Sequence, residues 1–185
     1  MSKYIAGLIL MGTMLCVSCK SSKSTATPAE IEALSLLVES KDFNIESNWA
    51  YPQTTYAMQQ VLNSGLLFPN NGGSAINLIG NPNFLKISGD SISSFLPYFG
   101  ERQMQITYNG QDTAIQLNGL MENYEIAEGK NNSYNISFSA NSAVNNERFR
   151  VFITLFPNLK SNIRVNSTGR FSIGYSGEIV EETLE

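Results

Sequence analysis

The sequence predicts an all-β fold with one N-terminal helix, in which an antiparallel β-meander closes into a barrel or sandwich. Three observations predict it. Short stretches of alternating apolar and polar residues recur from Asp42 onward, with turn residues at intervals of roughly 8–12 positions. Between Thr27 and Lys41 the apolar residues instead recur at helical spacing. Gly, Asn and Ser are plentiful while charged residues make up 15% of the chain, a composition that suits many tight turns.

Each element follows from local chemistry. Thr27-Pro28-Ala29-Glu30 is a helix start: Thr caps, Pro suits the first turn, and Glu three residues after Thr completes a capping box. Ile31, Leu34, Leu37 and Val38 then line one face of a helix over 28–41, and Lys41 suits its C-terminal dipole. Asp42 to Trp49 alternates apolar and polar residues, as a strand with one buried face does. Thr54 to Gly73 breaks the pattern. Tyr56 to Leu62 suits two helical turns, and Leu66-Leu67-Phe68-Pro69 is an apolar knot, so the stretch reads as a plug over a sheet edge or a ligand gate.

Ser74 to Ile79 follows as a strand. Phe84 to Ser88 and Ser91 to Leu96 flank Gly89-Asp90, a two-residue hairpin turn that uses the freedom of glycine at φ > 0. Met104 to Tyr108 ends in the turn dipeptide Asn109-Gly110. Ala114 to Asn118 and Tyr124 to Ala127 are expected to pair around Gly119. Tyr134 to Ser139, Phe149 to Phe156, Asn162 to Ser167 and Arg170 to Val180 complete about nine strands, joined mostly to their neighbours.

The N-terminus reads as a targeting segment. Lys3 precedes an apolar run from Ile5 to Leu15, too short to span a bilayer as a helix and the right size for a signal peptide. Ser18-Cys19 after this run resembles a bacterial lipoprotein signal, in which a small residue precedes the cysteine that is lipidated. Cys16 follows Leu15 and fits that pattern poorly. The expected organisation is a signal peptide over 1–18, lipidated Cys19 and a flexible linker over 19–27, and one barrel-like domain over 28–185. Lys20 to Thr27 is polar and reaches at most roughly 25–30 Å when extended, so the tether holds the domain close to a membrane.

Composition excludes several chemistries. The chain has no histidine, and its two cysteines both lie in the first twenty residues. Ser-His-Asp and Cys-His nucleophile systems, zinc sites of the usual nitrogen and sulfur type, and haem ligated by His or Cys therefore have no ligands in the body of the protein. A net charge of -4 without a basic patch lacks the footprint of nucleic-acid binding. No cofactor or metal is expected.

Several blocks carry a family resemblance: Leu37-Val38-Glu39-Ser40-Lys41-Asp42-Phe43, Ile76-Asn77-Leu78, Leu85 to Ile92, Leu96-Pro97-Tyr98-Phe99-Gly100, Phe156-Pro157-Asn158 and Tyr175-Ser176-Gly177-Glu178-Ile179. Together, over roughly residues 30–181, they resemble the domain-of-unknown-function 4251 family of Bacteroidetes lipoproteins. The resemblance implies a lipocalin-like barrel in an envelope lipoprotein of the outer membrane. It implies no activity and no catalytic residues. The linker lacks the acidic run that surface-exported lipoproteins of that lineage often carry, which favours a periplasm-facing position.

Candidate site residues are few. Arg148 and Arg150 share a strand face, with Phe152 and Phe156 further along, and two arginines so spaced can clamp a carboxylate or phosphate. Asp90-Ser91-Ile92 and Asp112-Thr113-Ala114 resemble acceptors for periplasmic O-glycosylation on Ser91 and Thr113. Asp90, Asp112 and Glu178 lie apart in sequence, whereas glycosidase-type catalysis needs two carboxylates roughly 5–10 Å apart. The expected function is a non-enzymatic binding or structural module, with a small ligand or an envelope protein as partner. A lipocalin-like carrier of an amphipathic molecule and a carboxylate-dependent hydrolase are the alternatives.

Overall fold

The computed structural model describes residues 26–64, 75–103 and 114–180. Cys19, the apolar knot at 66–69, the expected strand at 104–108, Asp112 and Thr113 lie outside them.

Helix α1 (Pro28–Ser40) starts as its sequence dictates. The Thr27 hydroxyl accepts from the Glu30 backbone N–H, and the Glu30 carboxylate accepts from the Thr27 backbone N–H at 2.7 Å. These bonds hold the Glu30 carboxyl below its usual range. Lys41 does not extend the helix. It takes the left-handed cap conformation, φ 49, and its N–H bonds the Val38 carbonyl. Leu34 and Val38, one turn apart, are buried. Each contributes about 1.5–3 kcal/mol by leaving water.

The strands are β1 (Asp42–Pro52), β2 (Ile76–Asn77), β3 (Phe84–Ser88), β4 (Ser91–Pro97), β5 (Ala114–Leu120), β6 (Glu122–Glu128), β7 (Tyr134–Asn141), β8 (Arg148–Leu155), β9 (Lys160–Ser167) and β10 (Ile173–Val180). Helix α2 (Tyr56–Asn63) follows β1, and a single 3-10 turn, Lys130–Asn132, joins β6 to β7. All pairings are antiparallel, in the order β5-β4-β3-β1-β10-β9-β8-β7-β6, with β2 on β1. The path curls until a Leu117–Ser142 bridge and the Ala143 N–H to Gln116 carbonyl bond bring β5 to the end of β7. The sheet is thus nearly closed into a barrel.

The expected pairing of β5 with β6 does not occur. These sequence neighbours lie at opposite ends of the strand path, so the chain crosses the closing seam between them. Gly119 is no hairpin turn; it sits inside β5 opposite Ile92 at φ 136. The strand expected over 74–79 reduces to the two residues of β2. The hairpin of β3 and β4 forms as expected. Gly89 has φ 59 while Asp90 stays at negative φ, the pattern of a type II′ turn.

Alternation sorts the two faces of the barrel. On β9, Ser161, Ile163 and Val165 are buried while Lys160, Asn162 and Arg164 are exposed. Across the strands the inward residues, among them Ile45, Leu85, Ile115, Phe138, Phe149, Val151 and Tyr175, form one apolar core with Leu34 and Val38 of α1. An apolar interior with a polar exterior is the arrangement of a barrel in water, the reverse of a membrane-spanning one.

One irregularity shapes the surface. The β1–β10 register steps from Ser47↔Gly177 to Trp49↔Ser176, leaving Asn48 as an extra residue. Strict alternation would put Trp49 inward beside Phe43 and Ile45; the bulge turns it outward, opposite Ser176. Two contacts hold the bulge. A Cβ at Gly177 would overlap the Glu46 carbonyl oxygen and stand 2.6 Å from the Ser47 Cα, so only glycine admits this approach. The buried Asn83 side chain accepts from the Ser47 N–H at 2.8 Å and donates to the Ser47 carbonyl at 2.9 Å, replacing a strand partner where β1 passes from β3 to β2.

Gly177→Ala is expected to lower unfolding stability by about 2–4 kcal/mol, because the obstacle is backbone. Gly89→Ala has open space around it and is expected to cost only about 1–2 kcal/mol, from left-handed strain. Urea denaturation of both variants checks the order; an equal or reversed ranking would contradict the interlocked bulge.

Candidate functional site

The barrel is closed at both ends by different chemistry. At one end, α1 lays Leu34 and Val38 on the core, flanked by half-buried Leu37, Met121, Tyr124 and Tyr134. The Tyr134 hydroxyl donates to Ser35 Oγ at 3.3 Å. Lys41 fastens this end: its carbonyl accepts from Gly89, its ammonium reaches Asp90 at 3.0 Å, and the same ammonium stands 4.6 Å from the Tyr124 ring centre. Asp90, one of the sequence-level carboxylates, is therefore paired in a structural contact.

The far end is closed by a polar knot. Arg170, 4% exposed, donates from Nε to Glu147 at 2.9 Å, and Ser167 donates to the other carboxylate oxygen. The guanidinium lies against the Tyr98 and Phe149 rings, 5.1 and 5.4 Å from their centres. The Tyr98 hydroxyl serves the carbonyls of Glu101 at 2.7 Å and Phe171 at 3.0 Å, and Tyr175 donates to the Pro97 carbonyl at 2.9 Å. Thr55, just before α2, donates to the Glu101 carboxylate. Burial pushes the Tyr98 phenol up to about 12, partly opposed by the nearby Arg170 charge, and pushes Tyr175 up as well.

Two concave surfaces formed by the described residues lie on the outer side of the barrel. A groove of about 740 Å³ opens at the helix end. Its floor is the outer face of β1, β10 and β9, with Trp49, Ser176 and Asn162. Its rim is made of turns: Asn131 and Asn132 between β6 and β7, Pro157 and Asn158 between β8 and β9, and Glu30 at the start of α1. Lys160 and Glu178 face each other across β9 and β10 at one side. Asn131 and Asn132 hold φ 56 and 59, and Leu159, between two lining residues, holds φ 60. A bulky residue at positive φ stores strain that the surroundings must maintain. A second, shallower groove of about 440 Å³ lies over Phe84 and Phe95 on the outer face of the β3–β4 hairpin.

Most of the residues singled out in the sequence fall elsewhere. Arg148 and Arg150 project from the outer face of β8, where Arg148 pairs with Glu122 at 2.5 Å and Arg150 lies 5.1 Å from the Phe152 ring centre. Ser91 is exposed beside the hairpin turn. Glu178 is an exposed member of the groove. The outward turn of half-buried Trp49 and the Arg170–Glu147–Tyr98 knot carry no local signal in the sequence. The concentration of Asn in the turns at 131–132 and 158 was a visible signal for the groove rim.

Together these features define a small, nearly closed antiparallel barrel with an apolar core, a helix stopper and an external groove. The chain belongs to the DUF4251 family, described as a domain of unknown function, whose model matches residues 26–179. This is the family whose blocks the sequence resembles. The fold is similar to the crystal structure of a DUF4251 family protein from Bacteroides eggerthii DSM 20697 at 1.95 Å resolution. That likeness has a TM-score of 0.52 at 14% identity, over 82% of this chain and 87% of that chain. At that identity the likeness is one of fold. No curated protein matches the chain.

Arg170→Ala is expected to cost about 3–5 kcal/mol, since it leaves the Glu147 carboxylate in a largely dry site, whereas Arg148→Ala at its exposed pair is expected to cost under about 1 kcal/mol. Alkali tests the same knot. Tyr98 keeps its proton to about 12 when folded but releases it near 10 when unfolded, so its contribution is complete below pH 10 and lost as pH rises toward 12. The thermal midpoint should fall across that window, and less steeply in Tyr98→Phe; an unchanged slope in that variant would show that Tyr98 does not carry the dependence.

Proposed function

We propose that this protein is an envelope lipoprotein, held to the outer membrane by a lipid on Cys19 and facing the periplasm, whose β-domain is a non-enzymatic binding module. The observation that carries the binding reading is the pairing of a buried apolar core with a groove of about 740 Å³ on the outer face of the barrel. A carrier of the lipocalin kind needs internal space, whereas the inward positions of the described strands form one buried apolar core. A hydrolase needs a proton donor poised near working pH. Of the two carboxylates among the described residues that line the groove, Glu30 is committed to capping α1, its carboxyl held below its usual range, and Glu178 is exposed opposite Lys160. The anchoring part of the proposal is supported by Ser18-Cys19 after the short apolar run, and by the polar outer face of the barrel.

Two measurements test these parts separately. In envelope fractionation, Cys19→Ala should appear in the soluble fraction while Cys16→Ala stays with the membrane; the opposite result would move the anchor to Cys16. For the domain, native mass spectrometry after incubation with an envelope extract should show a bound small molecule. A hydrolytic activity against glycoside, ester or phosphate substrates that Glu178→Gln abolishes would replace the binding reading with the enzymatic one.

A further inference from the structure

Resting on that binding reading, the chemistry of the groove identifies a class of ligand. We propose that it binds a neutral oligosaccharide, with Trp49 as the platform on which one sugar ring stacks. The first observation is Trp49 itself. It is the only tryptophan of the chain, and the β1 bulge turns it out of the core onto the floor of the groove. A flat, amphipathic indole, half-buried in the groove floor, suits a ligand that has one apolar face and polar edges. The axial C–H bonds of a pyranose supply such a face, and its equatorial hydroxyls supply the edges.

The second observation is the lining around that platform. Asn48, Asn131, Asn132, Asn158 and Asn162 all border the groove. An amide offers both donors and acceptors, and so does a hydroxyl, so amides match a polyol without demanding charge on it. The ionic groups support the same conclusion. Lys160 and Glu178 are cross-strand partners, and the Glu30 carboxylate is taken up by Thr27. Among the described residues that line the groove no excess of positive charge awaits a phosphate or carboxylate, in contrast to the arginines on the outer face of β8. Size agrees. At about 740 Å³ the groove is within the range of roughly 300–1,000 Å³ typical of ligand sites, enough for a short oligosaccharide.

The sole tryptophan makes the test direct, because emission excited beyond the tyrosine absorption comes from Trp49. Purified mature protein is titrated with neutral tetrasaccharides of β-1,4, α-1,4 and α-1,6 linkage, including chitotetraose and maltotetraose, and with the anionic tetragalacturonate, each to about 10 mM. At least one neutral sugar should change the Trp49 emission saturably, and tetragalacturonate should bind at least about tenfold more weakly. By calorimetry, Trp49→Ala should weaken the best sugar about tenfold or more, Asn162→Ala should weaken it several-fold, and Trp49→Phe should retain part of the affinity. Asn162 is exposed on a regular strand, so its variant keeps the test valid should Trp49→Ala fold poorly. Emission unchanged by every neutral sugar, or tighter binding of the anionic one, would overturn the glycan assignment. A non-sugar molecule found bound by native mass spectrometry would do so too while leaving the binding module standing. The absence of any bound species there would instead remove the binding reading itself.

Discussion

The close approach of Gly177 to the Glu46–Ser47 backbone is the constraint on which both the barrel and its surface depend. Strand β1 has to serve three partners: β10 along one edge, and β3 then β2 along the other. A strand with perfect alternation pairs in one register throughout, and a shift of one residue moves every later side chain to the other face. The extra Asn48 makes that shift once, and glycine at 177 leaves the space for it. Asn83 completes the device by bonding the Ser47 N–H and C=O that the passage from β3 to β2 leaves without a strand partner. An orphaned buried peptide group costs about 1–3 kcal/mol, so the fold spends a side chain rather than leave it unpaired. The consequence beyond stability is positional. Below the bulge Phe43, Ile45 and Ser47 face the core; above it Ala50 does, opposite Tyr175, and Trp49 is left outside.

This constraint explains where sequence reading succeeded and where it did not. Helix α1, the first half of β1 and the β3–β4 hairpin were legible because their determinants lie within a few residues: a capping box, period-two alternation, and glycine at a turn. The outward turn of Trp49 was not, because its cause is a glycine on β10, far along the chain. The failure at β5 and β6 has the same origin. Gly119 resembles a local turn, yet the ladder of β4 runs past it to Leu120, and the chain meets its next partner only across the seam. Barrel closure is a non-local property that no window of residues contains.

The two ends of the barrel show a second kind of illegibility. The helix stopper is apolar, and its burial could be read from the i, i+4 spacing of Leu34 and Val38. The far end is closed by groups that composition alone assigns to the surface. Arg170, Glu147 and Tyr98 come from three separate segments, and a buried ion pair repays its desolvation only when the geometry is good and the remaining groups are bonded. Here Ser167 and two aromatic rings supply that surrounding. An apolar stopper would be at least as stable by the same reasoning. A polar one fixes the direction of its partners, and it ties the segment after β4 to the start of β10 in one arrangement, through Tyr98 to Phe171 and Tyr175 to Pro97.

The groove lies at the helix end, and the reason is topological. Turns between outward-facing strands are free to carry polar residues there, because α1 already covers the core beneath them. Asn131, Asn132 and Leu159 adopt left-handed backbone in those turns, and the Leu159 carbonyl is tied to the Ile179 N–H, so the rim is held in a shape its own residues do not favour. The same end carries Ala26, from which the chain runs back toward Cys19. Under the proposed anchoring, the eight residues from Lys20 to Thr27 limit the rim to roughly 25–30 Å from the lipid, so whatever occupies the groove must itself be within that reach of the membrane. A freely diffusing solute gains nothing from such confinement, whereas a polymer or a headgroup fixed at the membrane is met at high effective concentration. Under that proposed anchoring, the reach of the linker and the chemistry of the groove select together for a ligand that is itself part of the envelope.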